Sequence, residues 1–320
     1  MSGKTESALY LITGGAGFIG SNLAEALVRD GQGVRIFDDF SSGSLANLAA
    51  IRDQIDVVEG DLRDYAAVQR AMQGVTYVAH QGALRSVERS VDDPLSSDAV
   101  NTHGTLHVLM AARDTPGVKR VVYASSSSVY GENPALPKVE TQTPAPVSPY
   151  AVSKLAAENY CRVFSKLYGV ETVSLRYFNV FGPKQSPQSK YAAVIPLFMA
   201  AAQQGQPLEV HGDGEQSRDF TYIDNVVQAN RLALTTPGVG GEVFNVACNE
   251  RHSLLDIISS LERLIGRKLP RNHVDSRRGD VRHTQASIEH IQSKLDFRPS
   301  VGFDEGMRRT WDWFKAASKA

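Results

Sequence analysis

The stretch LITGGAGFIGSNL, residues 11–23, decides the fold class. It joins an apolar run that begins at Leu9 to a helical pattern that ends at Gly31, and it places glycines at positions 14, 17 and 20. An apolar strand, a glycine-rich turn and a helix within about 30 residues are typical of the first β-α-β unit of a doubly wound fold. The sequence therefore predicts a parallel sheet that begins with this strand.

The same turn predicts a site for a dinucleotide. Glycines let the backbone approach a pyrophosphate at a helix N-terminus, where unpaired N–H groups favour anions. Asp38 ends the second strand, and a carboxylate there binds the adenosine ribose and repels a 2′-phosphate, so NAD is expected rather than NADP. Asp61 has an alternative interpretation as a helix N-cap. The predicted cofactor-binding residues are Gly14, Gly17, Phe18, Ile19, Gly20, Asp38, Asp61, Leu62, Tyr150 and Lys154.

Strands and helices alternate along the first half of the chain. Strand patterns occupy residues 9–13, 34–38, 76–83, 120–126 and 172–179, with helical patterns between them. This rhythm predicts an α/β protein with a Rossmann-type doubly wound parallel sheet. The rhythm loosens after about residue 180, so we expect an NAD-binding domain over 1–180 and a smaller α/β substrate lobe over 181–320, interwoven with the first. His80, at the end of a strand, is expected to be a structural histidine satisfied by backbone groups.

Composition limits the classes of partner. The 320 residues carry a formal net charge of −1, so no global field attracts nucleic acid or an anionic membrane. Cys161 and Cys248 lack the spacing of a metal site, and no apolar run reaches 18 residues. We therefore expect a cytoplasmic protein without a metal, a nucleic-acid partner or a membrane span.

A second motif, SPYAVSKLAAENY at 148–160, predicts catalysis. Tyr150 and Lys154 lie one above the other on a helix face, and the strand RVVYASS ends nearby in sequence at Ser126. A cation near a phenol, together with the positive ring of NAD, would lower the phenol's pKa from about 10 towards neutrality and make Tyr150 a usable general base. Ser126, at the carboxyl end of its strand, would hold the same substrate hydroxyl. Ser126, Tyr150 and Lys154 are the predicted catalytic residues.

Four motifs in order resemble the extended short-chain dehydrogenase/reductase family. They are TGGAGFIG (13–20), SSSSVYG (125–131), SPYAVSK (148–154) and LRYFNVFGP (175–183). Within that family the chain is similar to the UDP-hexose 4-epimerases, above all those acting on UDP-N-acetylglucosamine. The likeness extends through GDGEQSRDFTYIDNV (212–226) and RRGDVRHTQAS (277–287), so it covers essentially the whole chain.

The resemblance implies an isomerase that works by transient oxidation. Tyr150 would take the proton of the sugar 4-OH while NAD accepts the C4 hydride, and the 4-keto sugar would turn over before the hydride returns. NAD would stay tightly bound and be regenerated in each turnover. Lys154 would hold the nicotinamide ribose and lower the Tyr150 pKa. Ser126 would share the proton path, with Ser125, Ser127 and Ser128 as substitutes.

The resemblance also implies the substrate. It assigns substrate binding to Arg85, Ser86, Ser126, Asn179, Val194, Arg218, Arg277, Asp280 and Thr284. Thr284 stands where glucose-restricted epimerases carry tyrosine, which leaves room for a 2-acetamido group. UDP-GlcNAc/UDP-GalNAc is therefore the expected pair, with UDP-Glc/UDP-Gal as a second pair.

Other activities of related chains are weighed against this expectation. Ser127 and Ser128 occupy the place of the carboxylates that 4,6-dehydratases use, which argues against dehydration. Arg85, a cation near the sugar, favours a uronate and makes UDP-glucuronate 4-epimerase the alternative. A non-catalytic NAD-binding sensor is a remote alternative. The resemblance further implies a homodimer formed through helices near 95–113 and 149–168.

Overall fold

A computed structural model of the chain describes residues 8–188, 192–275 and 282–317. Its strands are β1 (Leu9–Thr13), β2 (Gly33–Asp38), β3 (Asp56–Glu59), β4 (Tyr77–His80), β5 (Arg120–Ser126), β6 (Thr172–Tyr177), β7 (Val180–Phe181), β8 (Leu208–His211), β9 (Ser217–Arg218), β10 (Thr221–Tyr222), β11 (Val243–Val246), β12 (His252–Ser253) and β13 (Arg271–Val274). Its α-helices are α1 (Phe18–Arg29), α2 (Tyr65–Met72), α3 (Val87–Asp92), α4 (Pro94–Asp98), α5 (Gly104–Asp114), α6 (Pro149–Tyr168), α7 (Val194–Gln204), α8 (Ile223–Thr235), α9 (Leu254–Ile265), α10 (Glu289–Leu295) and α11 (Phe303–Ala317). A π-helical turn, Ala99–His103, joins α4 to α5.

The central sheet has seven strands in the order β11-β6-β5-β4-β1-β2-β3. The pairs from β3 to β5 are parallel, and Thr13 of β1 aligns with Phe37 on one side and His80 on the other. The predicted Rossmann-type α/β class is confirmed. Chain order reverses between β1 and β4, and ligands of such sheets bind beyond the strand ends at that point.

Apolar side chains explain why the sheet is buried. Leu11 of β1 and Val121 of β5 are fully buried, and they belong to one cluster with Val68 of α2, Leu109 of α5 and Phe164 of α6. Strands covered on both faces read as nearly continuous apolar runs, which is the pattern that the sequence shows. The helices therefore fix the strand ends from which the site is built.

Local signals set where the helices begin and end. The Ser148 hydroxyl accepts a hydrogen bond from the Ala151 N–H, and Pro149 follows it at the first helical position of α6. Gly169 ends that helix with a φ of 68°. In the same way, Ser253 forms a capping box with Asp256 at the start of α9. The Ser148 and Gly169 caps fix the register of α6, which carries the Tyr-Lys motif.

The chain divides into two compact units. The first comprises Met1–Gly131, Thr143–Arg176 and Val227–Phe244, and the second comprises Glu132–Gln142, Tyr177–Val226 and Asn245–Ala320. The domain boundary expected at residue 180 remains a prediction. The two units differ from it because segment 132–142 belongs to the second unit and segment 227–244 belongs to the first.

The described ranges contain neither a membrane-spanning helix nor a cluster of metal-binding side chains. None of the helices there combines the length and apolar character needed to cross a bilayer. Within the same ranges, no group of three or more His, Cys, Asp and Glu side chains could hold a metal ion.

Candidate active site

The glycine turn after β1 brings backbone close to backbone. Gly14 has a φ of +63°, and a Cβ on it would lie 2.7 Å from the Cα of Gly82, which follows β4. A Cβ on Gly20 would collide with the Gly14 carbonyl oxygen and lie 2.7 Å from the Gly15 Cα. Only glycine fits these positions. The first turn of α1 also carries no acidic side chain, so its N-terminus is open to an anion.

Eight of the ten predicted cofactor residues share one groove of the first unit, and the other two, Tyr150 and Lys154, are not part of its lining. Its lining includes Gly14, Gly17, Phe18, Ile19, Gly20, Asp38, Asp61 and Leu62. The Asp38 carboxylate accepts hydrogen bonds from the Ala16 and Phe40 N–H groups, both at 2.9 Å, and burial raises its pKa. A glycine cradle at a helix N-terminus, followed by a carboxylate at the end of the next strand, fits a dinucleotide without a 2′-phosphate. The side chains and backbone of the groove therefore fit NAD.

Asp61 faces this groove and is not a helix cap. Asp64 caps α2 by accepting a hydrogen bond from the Ala67 N–H at 3.2 Å, so the N-cap interpretation of Asp61 is wrong. Asp61 instead pairs with Arg63, whose hydrogen bonds hold the pKa of the Asp61 carboxyl below its usual value. It is therefore ionised at neutral pH.

Helix α6 and the end of β5 bring the three predicted catalytic side chains together. The Lys154 ammonium donates to the Ala124 carbonyl oxygen at 3.0 Å and lies 5.9 Å from the centre of the Tyr150 ring. Ser126 ends β5, and its hydroxyl lies near enough to the Tyr150 phenol to lower the pKa of that phenol. The i, i+4 spacing on α6 thus places a phenol, a hydroxyl and a cation around one point.

The pKa of Tyr150 departs from the sequence-based expectation. Burial raises the pKa of the phenol, and the groups that oppose the rise are the Ser126 hydroxyl and the positive charge of Arg85. Burial also lowers the pKa of Lys154 to about 7, so this side chain is a weaker cation than an exposed lysine. The expected lowering of the Tyr150 pKa by Lys154 is therefore wrong for the chain by itself.

The serines around Ser126 have different environments. Ser125 points towards α6, where its hydroxyl donates to Glu158 at 2.7 Å. Ser126 donates to the Ser128 hydroxyl at 3.1 Å and accepts from the Ser128 N–H at 3.2 Å. The Ser125 hydroxyl thus makes a structural hydrogen bond. The hydroxyls of Ser126 and Ser128 bond to each other near the Tyr150 phenol.

A buried ion pair behind Lys154 was not found from the sequence. Glu158 lies one turn beyond Lys154 and binds Arg176 of β6 through bonds of 2.6 and 3.0 Å, and both side chains are buried. The Arg176 guanidinium lies 4.7 Å from the centre of the Tyr130 ring. These contacts tie α6 to β5 and β6. The available signal was the spacing of four residues from Lys154 to Glu158, which places Glu158 on the same helix face but does not indicate Arg176 as its partner.

Asn101, in the π-helical turn, is a second residue that sequence reasoning missed. Its side-chain oxygen accepts from the Leu84 N–H at 2.8 Å, and its amide donates to the Leu84 carbonyl at 3.1 Å and to Ser153 of α6 at 3.0 Å. It therefore holds the segment next to Arg85 against the catalytic helix. A π-turn is often found at functional sites, but it has no sequence signature here.

Arg85 and Ser86 have separate roles in the first unit. Arg85 lines the cofactor groove, and its charge acts on Tyr150. Ser86 has a φ of 130°, and its hydroxyl caps α3 by accepting from the Arg89 N–H at 3.1 Å. The Ser86 hydroxyl is thus already used in a helix cap.

A cavity of about 650 Å³ in the second unit brings together three predicted substrate residues. Asn179, Val194 and Arg218 line it, with an apolar wall from α7 and from Phe220. Asn179 has a φ of 32°, and its amide donates to the Asp219 carbonyl at 3.0 Å. The cavity joins a cation and an amide to an apolar wall, which suits a nucleotide.

Thr284 does not line the cavity, but its backbone pairs with the residue before Arg218, which does. Its N–H donates to the Ser217 carbonyl at 3.0 Å, next to Arg218. Its hydroxyl oxygen is buried and has no hydrogen-bond partner among the described residues. Arg277 and Asp280, also predicted to bind substrate, lie outside the described residues.

The polar edge of the cavity was not predicted. Glu209 and His211 of β8 line it and approach each other to 3.2 Å, while Leu208 and Val210, which alternate with them along the strand, are buried. The alternation of LEVH was a signal that could have found this pair.

His80 is structural, as expected, but its partners differ from those expected. Its ring nitrogens contact the hydroxyls of Thr13 at 2.6 Å and Thr105 at 2.9 Å, not backbone groups. Burial lowers its pKa to about 3, so the ring is neutral at physiological pH. It serves to fix β1 and β4 beside the glycine turn.

Comparisons with known proteins agree with this geometry. The chain matches the model of the NAD dependent epimerase/dehydratase family over residues 10–247. A UDP-glucose 4-epimerase of Mycolicibacterium smegmatis is 35% identical over 317 residues, which cover 97% of this chain and 99% of that protein.

Two solved structures are also similar over nearly the whole chain. A UDP-N-acetylglucosamine 4-epimerase from Methanobrevibacter ruminantium, in complex with UDP-N-acetylmuramic acid, has a TM-score of 0.93 and 36% identity, with 98% of this chain and 100% of that chain covered. A UDP-glucuronic acid 4-epimerase from Bacillus cereus, with UDP-glucuronic acid and NAD, has a TM-score of 0.89 and 31% identity, with 97% and 99% covered. These relatives act on sugars that differ at C2 and C6.

Proposed function

The chain belongs to the NAD dependent epimerase/dehydratase family and is an NAD-dependent enzyme, and we propose that it inverts C4 of a UDP-hexose. The preferred pair is UDP-N-acetylglucosamine and UDP-N-acetylgalactosamine, with UDP-glucose and UDP-galactose as a second pair. The observation that carries the proposal is the placement of the Ser126 hydroxyl, the Tyr150 phenol and the Lys154 ammonium close together, in the unit that also holds the glycine cradle.

In the proposed mechanism these three side chains carry out general acid–base catalysis at the sugar 4-OH. Bound NAD supplies reversible oxidation of the sugar at C4 together with a positive charge. Tyr150 takes the proton of the 4-OH and returns it after the sugar has turned, and Ser126 holds the same hydroxyl. Because burial raises the Tyr150 pKa in the chain alone, we expect the cofactor's charge to be what brings the phenol into the working range. Lys154 holds the nicotinamide ribose.

The cavity of the second unit is the proposed nucleotide site. Arg218 would bind the diphosphate, because a guanidinium meets phosphate oxygens two at a time. Asn179 would reach the phosphate or the sugar, and Val194, at the start of α7, would contact the nucleoside. From the resemblance alone, Arg277 is proposed for the diphosphate and Asp280 for the uridine ribose.

The serines after Ser126 argue against loss of water from the sugar. Elimination needs a further acid and base, and the positions that would carry them hold Ser127 and Ser128. Ser128 is hydrogen bonded to Ser126, and a hydroxyl does not titrate usefully near neutral pH. This favours epimerisation over dehydration.

Thr284 supports the N-acetylated substrate. A threonine leaves room where a tyrosine would fill it, and the buried hydroxyl without a partner is suited to a hydrogen bond with a ligand, since unpaired buried polar groups are costly. We propose that this side chain adjoins the 2-acetamido group.

Replacement of Thr284 by tyrosine is expected to change sugar preference. The kcat/KM for UDP-GlcNAc should fall by about 10- to 100-fold, because filling the space costs roughly 1–3 kcal/mol, while that for UDP-Glc changes little. Steady-state kinetics with both substrates measure the ratio. Thr284→Ser, which keeps the hydroxyl and leaves the space open, is the matched control and should retain the preference. Equal losses for both sugars in Thr284→Tyr would remove the gating role.

The alternative is a UDP-glucuronate 4-epimerase, and Arg85 is the observation that favours it. Its guanidinium acts on the Tyr150 phenol, so it lies near the proposed reaction centre and could meet a sugar carboxylate. UDP-glucuronate is therefore one of the substrates to test.

Removal of the Arg85 charge is expected to shift the pH dependence of the reaction. The positive charge lowers the Tyr150 pKa, so Arg85→Ala should raise it. The phenol must lose its proton to act as a base, and the acid limb of kcat/KM should therefore move to higher pH. A pH-rate profile of Arg85→Ala beside Arg89→Ala, an exposed arginine of α3, tests this. Superimposed profiles would mean that Arg85 does not influence the base.

A substrate panel tests the proposed function. Purified chain with no added cofactor is incubated with UDP-Glc, UDP-GlcNAc and UDP-GlcA, and the products are identified by NMR. Conversion of UDP-GlcNAc to UDP-GalNAc is expected. Turnover of UDP-GlcA alone would establish the alternative, and no change in any of the three with NAD supplied would reject the UDP-sugar epimerase proposal.

The exposed face of α6 supports the proposed homodimer. Val152, Val163 and Leu167 lie on one side of this helix and are exposed, and Leu95 of α4 is 83% exposed. Apolar side chains aligned in this way are typical of an interaction surface. Sedimentation equilibrium of the purified chain would measure the assembly. A cytoplasmic location is likewise proposed.

A further inference from the structure

Asp219, between β9 and β10, is a buried carboxylate that binds only backbone donors in the described chain. Its two oxygens accept from the Cys248 N–H at 2.9 Å and from the Ala286 N–H at 3.2 Å. Burial raises the Asp219 pKa to about 7, and these two donors, with the nearby N–H groups of Asn249 and Glu250, oppose the rise because they stabilise the carboxylate.

Three residues of the proposed substrate site lie next to Asp219 or next to its hydrogen-bond donors. Asn179 donates its side-chain amide to the backbone carbonyl of Asp219 at 3.0 Å, and Arg218 is the residue before Asp219 in the chain. Thr284 lies two residues before Ala286 in a segment that also bonds to Ser217. The segment is held from its other side as well, since the Lys138 N–H donates to the Gln285 carbonyl at 2.7 Å.

Each oxygen of the Asp219 carboxylate accepts from an N–H group, which explains why an acidic side chain is required at this position. A carboxylate has about four lone-pair sites and can accept at all of them, whereas an asparagine would turn an NH₂ group towards donors. A buried charge persists where such bonds satisfy it, and loss of one partner leaves the others unpaired. A residue needed only to fill space would not demand this arrangement.

We propose that Asp219 is a positioning residue that sets Asn179, Arg218 and Thr284 for the diphosphate and the sugar. The proposal rests on the proposed function, because those three residues are its substrate contacts. Asp219 does not touch the substrate in this account. Its carboxylate joins the turn after β11 to the Thr284 segment, and its backbone carbonyl holds Asn179 next to Arg218, so a shift of Asp219 should displace all three contacts together.

Asp219→Asn tests the proposal with UDP itself as the probe. The Kd for UDP, measured by calorimetry, and the KM for UDP-GlcNAc are expected to rise by about 10-fold or more, the usual effect of losing a hydrogen bond to a charged group. The change in kcat should be smaller, and the bound NAD per chain should be unchanged, since the glycine cradle belongs to the other unit. Asp304→Asn, an exposed aspartate paired with Arg263, is the matched control and should behave as wild type.

Distinct outcomes would overturn the proposal. A lower melting temperature with unchanged Kd and KM would make Asp219 a structural residue only. If the variant does not fold, hydrogen exchange of the native chain decides, because UDP should increase protection of the Cys248 and Ala286 amides, and no increase would reject the proposal. Failure of the proposed function is separate, since a wild-type chain that turns over no UDP-sugar can still bind UDP in an Asp219-dependent manner.

Discussion

Replacement of Tyr150 by phenylalanine is expected to lower kcat by about 10²- to 10⁴-fold, the usual contribution of general acid–base catalysis, while NAD remains bound. The substitution removes one oxygen, that of the phenol on which the Ser126 hydroxyl acts. Tyr150 does not line the cofactor groove, and Lys154 keeps its bond to the Ala124 carbonyl, so NAD should still bind. The measurement is kcat with saturating UDP-GlcNAc, together with the NAD released per chain on denaturation.

The control for this variant lies on the same helix. Tyr160 is on the exposed side of α6, with 38% of its surface accessible, and Tyr160→Phe should retain wild-type kcat. A Tyr150→Phe protein that keeps more than about a tenth of the activity would not be missing its general base. If no function of the chain changed at all, an NAD-binding sensor would become the better description.

Replacement of Gly20 by alanine is expected to weaken NAD binding by about 10- to 100-fold. The added Cβ would meet the Gly14 carbonyl oxygen and lie 2.7 Å from the Gly15 Cα. Both are backbone atoms of the turn itself and cannot rotate away, so the cradle must deform, at a cost of roughly 1–3 kcal/mol. The Kd for NAD and the NAD content of the purified chain measure the effect.

Gly302→Ala is the matched control for Gly20→Ala. A Cβ on Gly302 would meet no atom within 4 Å, so NAD content should be unchanged. Native affinity for NAD in Gly20→Ala would mean that the turn does not hold the pyrophosphate, and the cofactor site would have to be sought elsewhere.

The sheet was predictable because its strands carry a local signal. The apolar runs at 9–13 and 120–126 are β1 and β5 with the same bounds, since a strand buried on both faces must be apolar throughout. The glycine turn was predictable for the same kind of reason, because its steric demand is written in the residues that it contains. The Ser148 and Ser253 caps are equally local.

The residues that support the site were not predictable, because their partners are distant in sequence. Arg176 meets Glu158 across α6 and β6, and Asn101 meets Leu84 and Ser153 through a π-turn. No local pattern indicates which of many charged or polar side chains will be buried together.

The direction of the Tyr150 pKa shift in the chain alone was not predictable for a related reason. The spacing to Lys154 suggested a cation acting on a phenol, but spacing does not show how deeply either group is desolvated. Burial dominates both pKa values in the structure. The direction of such a shift depends on the tertiary environment, which the motif alone does not contain.

The most direct test of the central claim uses UDP-N-acetylglucosamine that carries deuterium at C4, incubated with the purified chain and no added cofactor. The account predicts UDP-N-acetylgalactosamine that retains the deuterium at C4, because the hydrogen that leaves this carbon returns to it within one site. A product with ordinary hydrogen at C4, or inversion at another carbon, would contradict C4 epimerisation by transient oxidation.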